Sequence, residues 1–136
     1  MRFPMARLIL LTLTLLGSVP AYAEWVLVSS SENMIVYMDP DTVRRKENIV
    51  KVWDLEDFKT LQTRGAISFL STKSLMMYDC TEEQYRILAI YEYPGQMGSG
   101  TPVSSFTDPS KWVPVMPGSV GYVKWRILCE PNLPKK

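Results

Sequence analysis

The sequence predicts a β-rich domain closed at its C-terminal end by one helix laid across a sheet. Three observations carry this. Short runs alternate apolar and polar residues, the segment behind Ser119 repeats apolar residues at helical spacing, and two cysteines stand where they can tie that segment back to the strands. The chain has 136 residues, 46% hydrophobic and 21% charged, enough for one core and unlike a disordered segment.

Trp25 to Val28 and Met34 to Met38 are β-branched and aromatic runs separated by Ser29 to Asn33, so they read as a hairpin. Pro40 in Asp39-Pro40-Asp41-Thr42 forbids a ladder hydrogen bond, so the strand is expected to break there, with Asp39 capping a short helical turn that carries Val43. Arg44 to Asn48 makes a charged tip. Ile49 to Leu55 resumes a strand with Ile49, Trp53 and Leu55 on one face and Lys51 as the exception. Glu56 to Gly65 is expected to be a polar connection. Ile67 to Cys80 is one long strand or two collinear pieces with an irregularity near Ser71 to Ser74, and Met76, Tyr78 and Cys80 share a face.

Thr81 to Gln84 suits a hairpin connection, and Tyr85, Ile87, Ala89, Tyr91 and Tyr93 then alternate so cleanly that the odd-numbered face is expected inside. The Gly- and Pro-rich stretch from Pro94 to Pro109 reads as a long loop, a candidate edge flap or partner contact. Val120 to Cys129 fits either period. The helix is preferred because Ser119 follows Met116-Pro117-Gly118 as an N-cap, and the tail from Glu130 to Lys136 is expected to fray.

Residues 1–23 read as a secretory signal: Arg2 and Arg7, an apolar run from Leu8 to Leu16, then Ala21-Tyr22-Ala23 ahead of cleavage before Glu24. The uncharged stretch from Leu8 to Ala23 is 16 residues, short of the roughly 20 that cross a bilayer, so no stable membrane insertion is expected. The remaining single domain, residues 24–136, carries 13 basic against 14 acidic side chains, which removes any long-range attraction to nucleic acid or anionic lipid. An exported chain meets oxidising conditions, so Cys80 and Cys129 are expected to form a disulfide closing a loop of 50 residues.

With no histidine, acid–base catalysis and metal binding through imidazole are excluded. No catalytic, cofactor-binding or metal-binding residue is assigned. Gly95, Gly98 and Gly100 lack the order and following helix of a phosphate loop. Ser104, Ser105 and Ser110 near Lys111 lack a fixed base. Methionines such as Met38 and Met76 read as core filler rather than copper ligands, while Asp54, Glu56, Asp57, Glu82 and Glu83 read as solvated carboxylates without calcium or glycosidase spacing. Two features suit binding. Arg44, Arg45 and Lys46 place three cations on a turn and are the candidate contact for a protein partner; Trp25, Trp53, Phe58, Tyr91, Tyr93 and Trp112 include a stacking platform or, more simply, build core.

Read in order, Trp25, Tyr37-Met38-Asp39, Val50-Lys51-Val52-Trp53-Asp54, Asp79-Cys80, Arg86, Tyr91, Gly98-Ser99-Gly100, the run from Trp112 to Ser119, and Cys129 resemble the surface-adhesin protein E family of bacterial exported proteins. The resemblance implies an α+β fold: an antiparallel sheet of about six strands, a C-terminal helix packed on it, and a disulfide tying the two. It also implies a non-enzymatic role in binding host extracellular matrix proteins, with the chain pairing as a homodimer. The ordinary export site at Ala23 points to a periplasmic or secreted product. The rival reading is an envelope structural or assembly factor that pairs with its partner through an exposed sheet edge.

Overall fold

A computed structural model describes Gly17 and residues 24–130. The proposed signal segment and the tail beyond Glu130 lie outside the described residues, Gly17 apart. The main strands are β1 (Val26–Ser30), β2 (Met34–Lys46), β3 (Ile49–Arg64), β4 (Ile67–Asp79) and β5 (Gln84–Tyr93). Two short strands, β6 (Ser104–Phe106) and β7 (Val113–Pro114), precede one helix, α1 (Val120–Cys129). The sheet is antiparallel in the order β1-β2-β3-β4-β5-β6, and β7 pairs with β5 farther along the same edge. The α+β architecture with a C-terminal helix is therefore as expected.

The strands run on where proline and polar residues suggested breaks, because a ladder bonds through the backbone whatever the side chains. At residues 39–42 there is a bulge instead of a helical turn. Pairing of β2 with β3 lapses between Asp39 and Arg44, so the missing Pro40 N–H is not needed. The Thr42 hydroxyl bridges the gap, donating to the Asp39 carbonyl at 2.7 Å and accepting from the Trp53 amide at 3.0 Å. Residues 56–64 are likewise strand, with an irregularity between Asp57 and Gln62 opposite Ser71 and Phe69 of β4. The irregularity expected at 71–74 thus sits in the neighbouring strands. A two-residue connection at Gly65 and Ala66 then turns β3 into β4, with Gly65 at φ 60°, a left-handed conformation that favours glycine.

Which residues face inward differs from expectation in two strands. In β3 the covered face is Val50, Val52 and Asp54, while Ile49, Lys51 and Trp53 turn to the opposite face. Leu55, also on that opposite face, is nevertheless fully buried in register between Tyr37 and Lys73. In β5 the alternation changes phase, because Met76 pairs with Ile87 and Leu75 with Ala89, leaving Leu88 extra. Before the bulge Tyr85 and Ile87 pack on the core; after it the even-numbered Glu92 is buried while Tyr91 and Tyr93 stay half-exposed.

The core lies between α1 and one face of the sheet. Met38, Val50, Val52, Met76, Tyr78 and Cys80 meet Trp125, Leu128 and Cys129, a helix stripe at i, i+3 and i+4 with Tyr122 packed against it. Ser119 is the N-cap, its side chain accepting from the Tyr122 amide at 3.1 Å. Cys80 and Cys129 form the expected disulfide, with 5.3 Å between their Cα atoms, and the Trp125 indole donates to the Asp79 carbonyl at 3.1 Å. The Asp79 carboxylate in turn accepts from Asn48 and from the amides of Thr81 and Glu82, tying two hairpin turns to the helix anchor. The long presumed loop is partly ordered into Gln96–Gly98, a short 3-10 turn, and β6.

Replacing both cysteines by serine is expected to lower unfolding free energy by about 4 kcal/mol through the freed 50-residue loop. Urea denaturation of oxidised wild type and the double variant measures this. In the same assay Ser119→Ala should cost about 1 kcal/mol.

Candidate functional site

Two concave sites face opposite sides of the sheet. The first lies under the N-terminal half of α1. Its floor is the covered face of β3 and β4, where Asp54 pairs in register with Ser74 and Glu56 with Thr72. Lys124 stands three residues after Gly121 and four before Leu128, so helix geometry puts it on the buried stripe. Its Nζ reaches Asp54 Oδ2 at 2.5 Å. Asp54 is 2% exposed and Lys124 7%, and the second Asp54 oxygen, Oδ1, has no hydrogen-bond partner. The expectation that Asp54 is a solvated carboxylate is therefore overturned: phase in β3 turns it inward, and only the helix supplies its counter-charge.

Burial pushes the Asp54 carboxyl from 3.8 up to about 6, against the pull of the Lys124 charge and hydrogen bond and with a smaller push from Glu56. Burial also raises the neighbouring Tyr78 phenol well above its ordinary value, and the Asp54 charge adds to the effect. The Tyr78 hydroxyl, like Asp54 Oδ1, lacks a partner. The cleft has a volume of about 350 Å³, walled by apolar side chains from β2, β4 and β5.

The second site is on the other face, at the β2–β3 tip. Arg44, Arg45 and Lys46 close β2 opposite Lys51, Val50 and Ile49, and Glu47 makes the turn at φ 56°. Together with Met77 of β4 they outline a groove of about 350 Å³, cationic at the rim and apolar on the floor at Ile49 and Met77. The three cations are not equivalent. Arg44 folds back onto the carbonyls of Asp41 and Val43. Arg45 donates to the Leu128 carbonyl in the last turn of α1, where helix carbonyls lack partners and a cation is favoured. Lys46 is exposed.

The six aromatic residues are half-buried and none belongs to the core. They are spread about the sheet: Trp53 lies 6.0 Å from Tyr91, Lys73 sits between Tyr93 and Trp25, Phe58 meets Phe69 edge-on, and Arg86 covers Trp112. The Gly-rich segment is pinned. The Ser71 hydroxyl donates to the Gly95 carbonyl at 2.6 Å and accepts from the Gly98 amide at 2.8 Å, while Asp57 accepts from the Met97 amide. Gly98 has φ 67°, and a Cβ there would lie 2.2 Å from the Lys73 side chain. Ser104 donates to Glu92 and Ser110 accepts from the Ile87 amide, so both hydroxyls hold loops to β5. Met38 and Met76 are core as expected, whereas Met97 and Met116 are exposed. Among the described residues no cluster of three Asp, Glu, Cys or His suits a metal ion, and no helix is long and apolar enough to cross a membrane.

Because the folded Asp54 carboxyl holds its proton more tightly than the unfolded one, its contribution to stability is fully present below about pH 4 and is lost as pH rises through about 6. The difference is roughly 3 kcal/mol. Urea midpoints of wild type should fall across that window relative to Asp54→Asn, whose profile should be flatter there. Arg45→Ala is expected to cost about 1 kcal/mol by uncovering the Leu128 carbonyl, whereas Lys46→Ala should stay within about 0.5 kcal/mol of wild type.

No curated protein sequence matches this chain. Among solved structures, the fold is similar to that of Haemophilus influenzae protein E, with a TM-score of 0.63 at 12% identity over 82% of this chain and 87% of that one. A second crystal form of the same protein gives 0.60 at 12% identity over 84% and 98%. Its selenomethionine form gives 0.54 at 13% identity over 76% and 90%. At these identities the likeness concerns the fold. The model of the family described as surface-adhesin protein E matches residues 25–130, spanning every strand, the helix and both cysteines, and the chain belongs to that family.

Proposed function

We propose that this adhesin-like protein is an exported, non-catalytic binding module that engages an acidic patch on a host extracellular matrix protein through the groove at the β2–β3 tip. The observation that carries the reading is the composition of that groove: Arg44, Lys46 and Lys51 line it with Glu47 above a floor of Ile49 and Met77, while the Arg45 head is committed to the end of α1. Rim cations speed encounter and select an acidic partner, while desolvated apolar contacts beneath them supply residence time. Family membership points the same way. The absence of histidine from the chain and the engagement of Asp54 by Lys124 favour binding over catalysis. Release into the periplasm or medium after cleavage near Ala23 goes with this role, and N-terminal sequencing of secreted material should then begin at Glu24.

A second reading has its own observation. Strand β1 forms one edge of the sheet, with Val26 53% and Leu27 57% exposed, and an open edge accepts a strand from another chain, a second copy included. A photo-cross-linker at Leu27 that captures one envelope partner in cells, with no matrix protein retained in vitro, would favour an assembly factor.

For the first reading, immobilised laminin or vitronectin is expected to retain the oxidised protein at about 50 mM salt and release it progressively toward about 300 mM. The double variant Arg44→Glu/Lys46→Glu, which leaves Arg45 on the helix, should lose at least about tenfold in affinity with urea stability unchanged. Retention insensitive to both salt and charge reversal would move the contact elsewhere on the molecule.

A further inference from the structure

We propose that the cleft under α1 binds a small primary ammonium ion carrying a short apolar tail, a site separate from the cationic groove. The charges choose the sign of the guest. Asp54 and Glu56 place two carboxylates against the single ammonium of Lys124, so the cleft carries an excess negative charge when Asp54 is ionised. Lys124 occupies only Oδ2 of Asp54, and Oδ1 is a buried acceptor with no donor. Oδ1, like the Tyr78 hydroxyl, is sealed from solvent, so Asp54 acts on a guest through its charge and not through a direct hydrogen bond.

The polar atoms choose the head group. The acceptors lining the cleft are the Glu56 carboxylate and the hydroxyls of Thr72 and Ser74, with the charge of Asp54 beside them on β3. An ammonium has three donors and no acceptor, which matches such a set. A divalent cation would need six or more oxygen ligands, and the walls instead are thioether and alkyl groups from Met34, Ile87 and Ile90. Those walls choose the tail. A volume of about 350 Å³ is at the lower end of small-molecule pockets, which suits a short alkyl or aryl chain over a larger ligand. Gly121 contributes to the room: even a Cβ there would come within 3.2 Å of the Tyr85 ring.

The test is titration of the oxidised protein at neutral pH with hexylammonium, hexanoate and 1-hexanol, followed through backbone amide resonances. Hexylammonium is expected to give saturable shifts confined to residues 54–56, 72–76 and 120–124. It should bind at least about tenfold more tightly than the other two probes, and butylammonium should bind roughly tenfold more weakly for the two methylenes lost. Asp54→Asn should abolish the preference for the amine. Because that variant also disturbs the buried pair, Glu56→Gln on the half-exposed rim provides the second arm, expected to weaken hexylammonium roughly threefold while leaving hexanol unchanged. Equal binding of hexanol or hexanoate, shifts outside the cleft, or an unaltered affinity in Glu56→Gln would overturn the assignment.

Discussion

The structure depends on holding one ten-residue helix against one face of a sheet of long strands. A helix of that length is marginal in water by itself, so its stability has to come from its attachments. They are distributed along it. The Ser119 cap satisfies the first turn, Lys124 reaches down to Asp54, the Trp125 indole reaches the Asp79 carbonyl, Arg45 covers the Leu128 carbonyl, and the disulfide fixes Cys129. The covalent tie and the largest buried ring sit at the C-terminal half. The core therefore condenses around Tyr78, Trp125 and Cys80, and the cleft opens at the other half, where Lys124 reaches across to Asp54.

Much of this was legible in the residues, and the misreadings have physical causes. The inward face of Met76, Tyr78 and Cys80 rests on local spacing; helix α1 rests on the Ser119 cap, since its apolar residues fit either period, and its tie to Cys80 on two cysteines in a chain read as exported. Bulges do not announce themselves. Leu88 looks like one more member of an alternating strand, yet its insertion reverses which side of β5 faces the helix from there on. The polar stretch 56–64 and the proline at 40 look like breaks because side-chain chemistry is being read, while the ladder is built from backbone groups and tolerates both at a distorted register.

The candidate sites show the same division. The cationic tip is visible as three consecutive letters, but its split into one cation on the helix end, one turned back on its own strand and one facing solvent arises only from folding. The cleft left only one trace in the sequence. Asp54 and Lys124 are 70 residues apart, and each looks like an ordinary surface charge until strand phase and helix stripe turn both inward. One signal was available: Lys124 lies at stripe spacing between Gly121 and Leu128, where a charged residue is anomalous. The two concavities lie on opposite faces of one sheet, so a guest in one would leave the other open.

The position of the covalent tie has a consequence for how the molecule is made. Its two halves lie 49 residues apart, and the second comes after every strand. During synthesis or threading from the N-terminus, closure waits until α1, the last element among the described residues, has emerged. A product interrupted earlier keeps Cys80 as an unpaired thiol, so the disulfide distinguishes a chain that has reached Cys129 from one that has not.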